Sequence, residues 1–528
     1  MRTTARLVAI TAALALVVPG APAASAATTP AKAANPAKPA VAWAACADDP
    51  TAECGTLSVP VDWSRPRGEH FDLALARRKA TDPSKRIGSL VVNPGGPGGS
   101  GVDFVLLAPD YFSADLRARF DLVGFDPRGV ARSHPVLCSL DLLSAAPSPV
   151  PTNQAEFDRL VRYNRDLGND CRRHTGPLID HVDTSSVVKD IDAIRAAVGD
   201  RKLSYYGVSY GTLMGQQYAE QFPDRVRALV LDSNMDHSLG TAGFLLTEAG
   251  TVQDSWNEFV KGCRADPGCV LHDSDIRALW ADLMARAGRG ELTLPGEPSA
   301  VLTQFDLVGI VFGFFYGPDW RGLAELLVAL DTGTPPADAS AATALAATAR
   351  KAKAADPELA ENSFQPQFCG DWELPVRNYA ELAVLLRAQR LVAPEMLYSP
   401  LALSATTACL GWSAQTNNPQ HPLRAHPAKT LYMTNALHDP ATGYAWALNA
   451  KRQLGDAARL LTYKGWGHGV YGRSDCVSAP VDAYLISGAL PRPGALCAAV
   501  PPNPPAAARS ATGQRPLPAG PRPNLPGF

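Results

Sequence analysis

The sequence GVSYG at residues 207–211 follows an apolar run, KLSYY at 202–206, and precedes a run of helical character that begins with TLM at 212–214. This context predicts a strand, a sharp turn and a helix, with the central serine exposed at the carboxyl end of the strand. The two glycines allow the backbone to turn tightly beside that serine. Ser209 is therefore the predicted nucleophile, although the five-residue pattern is weak evidence without partner motifs.

A glycine-dense loop, NPGGPGGSG at residues 93–101, follows the apolar run SLVV at 89–92. Glycines suit a loop whose backbone N–H groups must approach a substrate carbonyl oxygen closely. The backbone amides of Gly96 and Tyr210 are the predicted donors of an oxyanion hole. A phosphate-binding loop is the alternative, but the segment lacks the Lys-Ser/Thr ending of a P-loop and the spacing of a dinucleotide-binding fingerprint.

Two strand-like runs near the C-terminus each lead into a polar loop. TLYM at 430–433 precedes the loop that carries Asp439, and LLTY at 460–463 precedes GWGHG at 465–469, which carries His468. His468 is the predicted base that takes the proton of Ser209, and Asp439 is the predicted acid that orients the imidazole. The chain order Ser, Asp, His differs from the orders of two other folds that use the same three residues.

Each partner of the serine has a rival. His438 neighbours the predicted acid on the same loop, whereas the glycines on both sides of His468 favour an exposed, functional imidazole. Asp232 ends the strand-like run ALVL at 228–231 and is the alternative acid. Chain order favours Asp439 over Asp232.

Four separated motifs resemble those of secreted bacterial tripeptidyl aminopeptidases, which belong with the prolyl aminopeptidases among the α/β-hydrolases. The motifs are NPGGPGG at 93–99, GFDPRG at 124–129, GVSYGT at 207–212 and GWGHG at 465–469, and the resemblance runs from about Cys46 to Cys497. Prolyl aminopeptidases have a histidine where this chain has Pro94, a departure that fits the tripeptidyl branch better.

Strand and helix signals alternate from 88 to 234, which predicts the nucleophile half of a mostly parallel central sheet. From about 237 to 426 the pattern changes to helical runs, at 251–263, 274–287, 321–330, 341–354 and 378–389, which predicts a large inserted helical lid. Together with these segments, the resemblance implies an α/β fold of the α/β-hydrolase class. It implies a serine exopeptidase that releases short peptides, above all tripeptides, from free N-termini through an acyl-enzyme. No metal or organic cofactor is expected. A second hypothesis keeps the triad for an ester or a non-peptide amide, because one fold hosts many chemistries. A third is a non-catalytic binding protein of the same shape.

An aminopeptidase must bind the free ammonium group of its substrate at a fixed distance from the nucleophile. Asp371 and Glu373, in the segment CGDWE at 369–373, are candidate acceptors, and Asp232 is a candidate from the core. Ordinary surface carboxylates are an equally good interpretation of these positions.

The N-terminus has the pattern of a secretory signal. Arg2 and Arg6 precede an apolar segment from 7 to 18, and ASA at 24–26 fits a cleavage site. We expect export and a released, extracellular enzyme, because no later apolar stretch is long and uncharged enough to span a bilayer. The predicted organisation is a signal peptide (1–26), an Ala/Pro-rich extension (27–43), the nucleophile half of the core (44–236), a helical lid (237–426), the half of the core with the acid and the histidine (427–500) and a Pro-rich tail (501–528).

Ten cysteines in an exported chain favour disulfides over metal ligands. Sequence leaves the connectivity open, and sequential pairing is the simplest hypothesis. The balance of 49 basic and 51 acidic residues, a formal net charge of −2, gives no indication of a nucleic-acid partner and leaves the oligomeric state open. The pairs of this scheme are Cys46 with Cys54, Cys138 with Cys171, Cys263 with Cys269, Cys369 with Cys409, and Cys476 with Cys497.

Overall fold

A computed structural model describes residues 41–335 and 358–502 of the chain. The predicted signal peptide, most of the Ala/Pro-rich extension, a helix predicted at 341–354 and nearly all of the Pro-rich tail lie outside the described residues. Among the residues that are described, no helix is long and apolar enough to cross a membrane.

A ten-stranded sheet forms the centre of the protein, in the order β1-β2-β3-β5-β4-β7-β8-β12-β13-β14. The neighbouring pairs from β1 to β5 are antiparallel, and every neighbouring pair from β5 to β14 is parallel. The strands are β1 (Ala44–Ala45), β2 (Glu53–Pro60), β3 (His70–Arg78), β4 (Gly88–Asn93), β5 (Phe120–Phe125), β7 (Leu203–Val208), β8 (Val226–Asp232), β12 (Leu431–His438), β13 (Ala458–Trp466) and β14 (Leu496–Cys497).

Two small antiparallel ribbons lie outside this sheet. One pairs β9 (Thr293–Leu294) with β10 (Glu297–Val301), and the other pairs β6 (Leu137–Ser139) with β11 (Leu359–Glu361).

The central strands are buried on both faces, which explains why their sequences are continuous apolar runs. All six residues of β4 and of β5 are buried. Neighbouring residues of one strand enter opposite cores, as Tyr205 and Tyr206 of β7 show. This arrangement confirms the predicted α/β-hydrolase fold with a mostly parallel sheet.

Helices cover the sheet, and the described part of the long segment between β8 and β12 is mainly helical. Strands β8 and β12 are neighbours in the sheet, with Tyr432 beside Val230. The segment between them therefore begins and ends at adjacent strands, and we call this pair of strands the seam. The helices are α1 (Gly101–Leu106), α2 (Ala108–Tyr111), α3 (Ala114–Arg119), α4 (Leu140–Ser144), α5 (Gln154–Thr175), α6 (Thr184–Ala197), α7 (Tyr210–Gln221), α8 (Thr241–Ala265), α9 (Ile276–Gly288), α10 (Gln304–Tyr316), α11 (Trp320–Thr332), α12 (Phe364–Asp371), α13 (Tyr379–Val392), α14 (Pro400–Ala408), α15 (Tyr444–Leu454) and α16 (Asp475–Ser487).

Helices α8 to α14 belong to the segment predicted as a lid, which we call the lid below. The sequence patterns predicted helices near α8, α9, α11 and α13. They did not predict α10, whose sequence is apolar nearly all round, or the short helices α12 and α14. The lid boundaries at 237 and 426 stay predictions.

Five disulfides join cysteines that follow one another along the chain. They link Cys46 to Cys54, Cys138 to Cys171, Cys263 to Cys269, Cys369 to Cys409, and Cys476 to Cys497.

Candidate active site

Ser209 lies at the sharp turn between β7 and α7. Its φ of 57° and ψ of −124° are unusual for a residue with a side chain and are the strained geometry of a nucleophile elbow. A Cβ built on Gly207 would lie 2.5 Å from the carbonyl oxygen of Gly211, so the turn closes only with glycine there. The serine side chain is partly exposed at the carboxyl end of the parallel strands.

The predicted acid and base lie on the loops after β12 and β13. Nδ1 of His468 is 2.9 Å from Oδ1 of Asp439, and the same oxygen accepts the backbone N–H groups of Ala441 and Thr442 at 3.0 and 2.9 Å. The Thr442 hydroxyl donates to Oδ2 of Asp439 at 3.2 Å. With Nδ1 donating to Asp439, Nε2 of His468 is the nitrogen that can accept a proton from serine.

The charge state of Asp439 suits this role. Burial by itself favours the neutral carboxyl, but the charge and hydrogen bond of His468 and the N–H of Thr442 together hold the pKa of Asp439 below its usual range. An ionised carboxylate orients the imidazole and stabilises the imidazolium that forms during catalysis.

Asp232 and Ser233, at the end of β8, join the nucleophile to the histidine loop. The N–H of Ser209 donates to the Asp232 carbonyl at 2.9 Å, while the Asp232 carboxylate accepts the N–H groups of Val470 and Tyr471. The Ser233 hydroxyl accepts the N–H of Gly469 at 2.8 Å. The rival acid therefore fixes the backbone after His468, whereas Asp439 contacts the imidazole itself.

No hydrogen bond joins Ser209 to His468 within the described parts of the chain. Such a bond is often long in an unliganded enzyme and shortens when substrate binds. The two residues are nevertheless close in the fold, because a Cβ on Gly469 would lie 3.7 Å from Cγ1 of Val208.

The glycine-dense loop after β4 lies directly against the elbow. A Cβ on Gly95 would lie 2.8 Å from the Tyr210 nitrogen, so close an approach that no side chain fits. The amides of Gly95, Gly98 and Gly99 already donate to Oδ1 of Asn93, to Oε1 of Gln367 and to the Gly95 carbonyl, respectively.

Two backbone amides remain as oxyanion donors. Pro94 and Pro97 have no N–H, which leaves Gly96 as the amide of the 94–99 segment without a recorded protein acceptor in the described residues. Tyr210 is the first residue of α7, where an amide has no acceptor within the helix and the helix dipole favours negative charge. Both properties support the assignment of Gly96 and Tyr210, which stays a prediction.

The three residues predicted to bind a substrate ammonium group lie in different surroundings. Asp371 is fully buried, and its oxygens already accept four hydrogen bonds, from the N–H and hydroxyl of Thr184, the hydroxyl of Tyr210 and the amide of Asn418. Asp232 is likewise buried and bonded. These contacts favour structural roles for both carboxylates. Glu373 is exposed, and its backbone pairs with the Gln420 side chain.

His438, the alternative candidate for the base, contacts residues other than Asp439. Nδ1 of His438 is 2.7 Å from Oδ2 of Asp254 on α8, and its ring stacks on Trp466. The imidazole of His438 therefore pairs with the lid, while that of His468 pairs with Asp439.

Sequence reasoning missed three contributors to the site. Ser233 lies directly after Asp232, and the polar run at the end of an apolar strand was the available signal. Thr442 bonds to Asp439 from the next turn of the same loop. Tyr316, at the end of α10, accepts the N–H of His468 at 2.8 Å and packs edge-on against its ring, a contact that no local pattern indicates.

Comparison with known proteins agrees with this geometry. Residues 395–497 match the sequence profile of TAP-like proteins, and residues 88–289 match that of the alpha/beta hydrolase fold. Within the described parts of the chain, no group of three His, Cys, Asp or Glu residues could hold a metal ion.

Several characterised proteins resemble the chain over most of its length. Serine protease Hip1 of Mycobacterium tuberculosis is 33% identical over 485 residues, which cover 84% of this chain and 87% of that protein. Carboxylesterase B of the same species is 32% identical over 85% of this chain and 86% of its own length. Tripeptidyl aminopeptidase of Streptomyces lividans is 29% identical over 85% of this chain and 84% of its own length. The chain thus belongs to the TAP-like family of α/β-hydrolases and is a serine hydrolase.

Proposed function

We propose that the protein is a secreted serine exopeptidase that removes tripeptides from the free N-termini of peptides. The observation that carries the proposal is the hydrogen bond between His468 and Asp439 beside the elbow of Ser209, under a large helical insertion. The relatives named as a serine protease and a tripeptidyl aminopeptidase support a peptide substrate.

The reaction follows from these positions. His468 accepts the proton of Ser209 at Nε2 as the serine oxygen attacks the scissile carbonyl, and the amides of Gly96 and Tyr210 stabilise the oxyanion. His468 then donates that proton to the leaving amine, so the N-terminal fragment stays on Ser209 as an ester. A water molecule, deprotonated by His468, hydrolyses the ester and restores the free serine.

The lid supports exopeptidase activity through its contacts with the catalytic loops and with α15, the helix that follows the Asp439 loop. Trp446 donates to Thr247 of α8, Trp466 donates to Glu258 of the same helix, and Tyr316 of α10 packs on His468. A covered site excludes water and restricts which part of a polypeptide reaches the nucleophile. Chain ends enter such a site more easily than loops.

The disulfides support secretion. Five disulfides use all ten cysteines, and disulfides persist mainly in oxidising compartments outside the cytosol. The signal sequence predicted at residues 1–26 is consistent with export.

The decisive experiment compares Ala-Ala-Pro anilide with a free and with a blocked amino terminus, at equal concentration. Rapid cleavage of the free form alone supports a tripeptide-releasing exopeptidase, and Ser209→Ala must abolish it. Cleavage of both forms contradicts the requirement for a free N-terminus.

An esterase or non-peptide amidase is the second candidate, favoured by the relative named carboxylesterase B. Hydrolysis of short acyl esters by the wild type, lost in Ser209→Ala, together with no cleavage of either anilide would select it.

A further inference from the structure

One short lid helix, α12, contacts both elements that carry the proposed oxyanion donors, the glycine-dense loop and helix α7. Oε1 of Gln367 accepts the N–H of Gly98 at 3.1 Å, and Oδ2 of Asp371 accepts the hydroxyl of Tyr210 at 2.6 Å. Gln367 and Asp371 are four residues apart, so they lie on the same face of the helix. The lid therefore holds the glycine-dense loop and the first residue of α7 through one surface.

Hydrogen bonds to other elements hold the Asp371 carboxylate in place. Its Oδ1 accepts the N–H of Thr184 and the side-chain amide of Asn418, each at 2.7 Å, and its Oδ2 also accepts the Thr184 hydroxyl at 2.6 Å. These donors come from the start of α6 and from the loop after α14, so the carboxylate cannot follow Tyr210 if the tyrosine moves. The Tyr210 ring also packs on Phe368 of α12, with ring centroids 6.4 Å apart.

We propose that Asp371 is a positioning residue that holds the Tyr210 backbone N–H in the oxyanion hole by anchoring the Tyr210 hydroxyl from the lid. The inference rests on the proposed acyl transfer at Ser209, because it assigns the Tyr210 amide to the oxyanion. The Tyr210 side chain leaves the backbone at the first residue of α7, so its anchored end restrains the orientation of the adjacent N–H. A displacement of about 1 Å at such a group costs about 100-fold in rate.

The surroundings of Asp371 make this contact sensitive to pH. Burial and the nearby charge of Asp183 raise the pKa of Asp371 to about 7. His237 bonds through Nε2 to the Asp371 carbonyl, and burial lowers the pKa of His237 to about 4, so this neighbour is neutral near pH 7. An ionised carboxylate is a stronger acceptor than a neutral one, so the anchor strengthens as pH rises through about 7.

The test uses Tyr210→Phe, Asp371→Asn and the double variant. Tyr210→Phe keeps the backbone N–H and the ring but removes the anchored hydroxyl. We expect each single variant to lower kcat on the free tripeptide anilide by about 10- to 100-fold with KM unchanged within twofold, because the oxyanion forms only in the transition state. The double variant should be no slower than the slower single variant, because both changes break one bond.

Tyr218→Phe is the matched control. Tyr218 lies on the same helix α7, is itself buried, and donates to Oδ1 of the partly buried Asp192 at 3.0 Å, so this variant also removes a Tyr–Asp hydrogen bond. We expect wild-type kcat for Tyr218→Phe. An equal loss in Tyr218→Phe and Tyr210→Phe would overturn the proposal, because it would indicate general loosening of α7.

Two further readouts separate positioning from stability and from substrate choice. The rate of Ser209 labelling by a fluorophosphonate should fall in Tyr210→Phe in parallel with kcat, whatever the natural substrate. In a plot of kcat against pH, the fall in kcat towards acid pH should depend on one ionising group fewer in Asp371→Asn than in the wild type. If Asp371→Asn does not fold, Tyr210→Phe decides the question, because the carboxylate keeps its other three donors.

The outcomes distinguish this inference from the function it rests on. Wild-type kcat and labelling in Tyr210→Phe would overturn the positioning role while leaving the Ser209 mechanism intact. Turnover and labelling that persist in Ser209→Ala would overturn the mechanism itself.

Discussion

The pKa values of two buried carboxyl groups near the catalytic loops are shifted in opposite directions. Burial favours the neutral form of Asp439, but the charge and hydrogen bond of His468 and the N–H of Thr442 hold its pKa below the usual range. Oε2 of Glu248 on α8 accepts the Ser399 hydroxyl at 3.4 Å, and Oε1 has no partner among the described residues. Burial, with the charge of Asp439, raises the pKa of Glu248 well above its usual range. The charge and hydrogen bond of His468 therefore distinguish Asp439 from Glu248, which has no such partner among the described residues.

Asp439→Asn tests the acid of the triad. The amide presents the wrong partner to Nδ1 of His468 and favours the wrong tautomer, so we expect kcat to fall by about 10⁴-fold with little change in KM. Steady-state kinetics on the tripeptide anilide measure the loss. A loss under tenfold in Asp439→Asn, with a large loss in Asp232→Asn, would move the role to Asp232.

Glu248→Gln tests the neutral state of the lid carboxyl. A carboxyl whose pKa is raised in the folded state stabilises that state below its unfolded pKa of about 4.3 and loses this contribution as pH rises through the folded pKa. The stability of Glu248→Gln relative to the wild type should therefore increase from pH 4 to pH 8, measured by urea unfolding.

Glu381→Gln is the control for that trend. Glu381 is paired with the backbone N–H and guanidinium of Arg377, which lower its pKa, so its trend with pH should run in the opposite direction. A trend with pH that is the same in both variants would contradict the assigned charge state of Glu248.

At the scale of elements, α8 connects the lid to both catalytic loops. Asp254 pairs with His438, the last residue of β12, and Glu258 accepts the indole N–H of Trp466 before His468. These contacts recur along one face of the helix, as the spacing of three to four residues requires. One helix of the lid thus fixes the approach to the acid and to the base.

Helix α12 has only eight residues and is too short to be stable alone. The Cys369–Cys409 disulfide links it to the residue after α14 and closes a loop of 40 residues. The helix that holds Tyr210 is therefore restrained covalently as well as by packing.

Removal of this disulfide should affect stability and rate together. Replacing Cys369 and Cys409 by Ala should lower the free energy of unfolding by about 4 kcal/mol in the chain-entropy model and also reduce kcat, because α12 loses its restraint. Replacing Cys263 and Cys269, which close a loop of 6 residues at the end of α8, should cost about 2 kcal/mol and leave kcat unchanged. Denaturant unfolding and anilide kinetics measure both effects; equal kcat in the two variants would contradict the role of α12.

At the scale of the whole molecule, the lid and one face of the sheet share a single hydrophobic cluster. Trp256 and Trp280 of the lid belong to the same buried cluster as Tyr205, Leu231 and Met433 of the sheet. Strands β8 and β12 pair across the seam where the lid begins and ends. The described helices of the lid are therefore packed as part of the core.

This packing predicts one cooperative unfolding transition. Loss of activity, change in tryptophan fluorescence and loss of far-UV circular dichroism should coincide in a urea titration, because lid and sheet lose the same buried contacts. A fluorescence transition at lower urea than the circular dichroism transition would contradict it, because it would show the lid opening first.

The sequence by itself determined those features of the protein that depend on residues close together in the sequence. The turn at Ser209, the glycine-dense loop with Gly96, the loops of Asp439 and His468 and the apolar parallel strands follow from patterns of a few residues. The change from alternating strand and helix signals to helical runs after residue 236 supplied the expectation of a lid and located several of its helices. Local backbone geometry and the two-sided burial of parallel strands are the physical reason that these features can be read from one sequence.

Only the tertiary structure decided which residues, distant in the sequence, contact the catalytic residues and what role each one has. Asp232 serves the backbone after His468, and Asp371 lies buried under Tyr210 although both were candidates to bind substrate. Tyr316 reached His468 from a helix that the sequence did not predict. These roles depend on contacts between residues more than 150 positions apart, which the folded chain brings within hydrogen-bond distance and which no local pattern encodes.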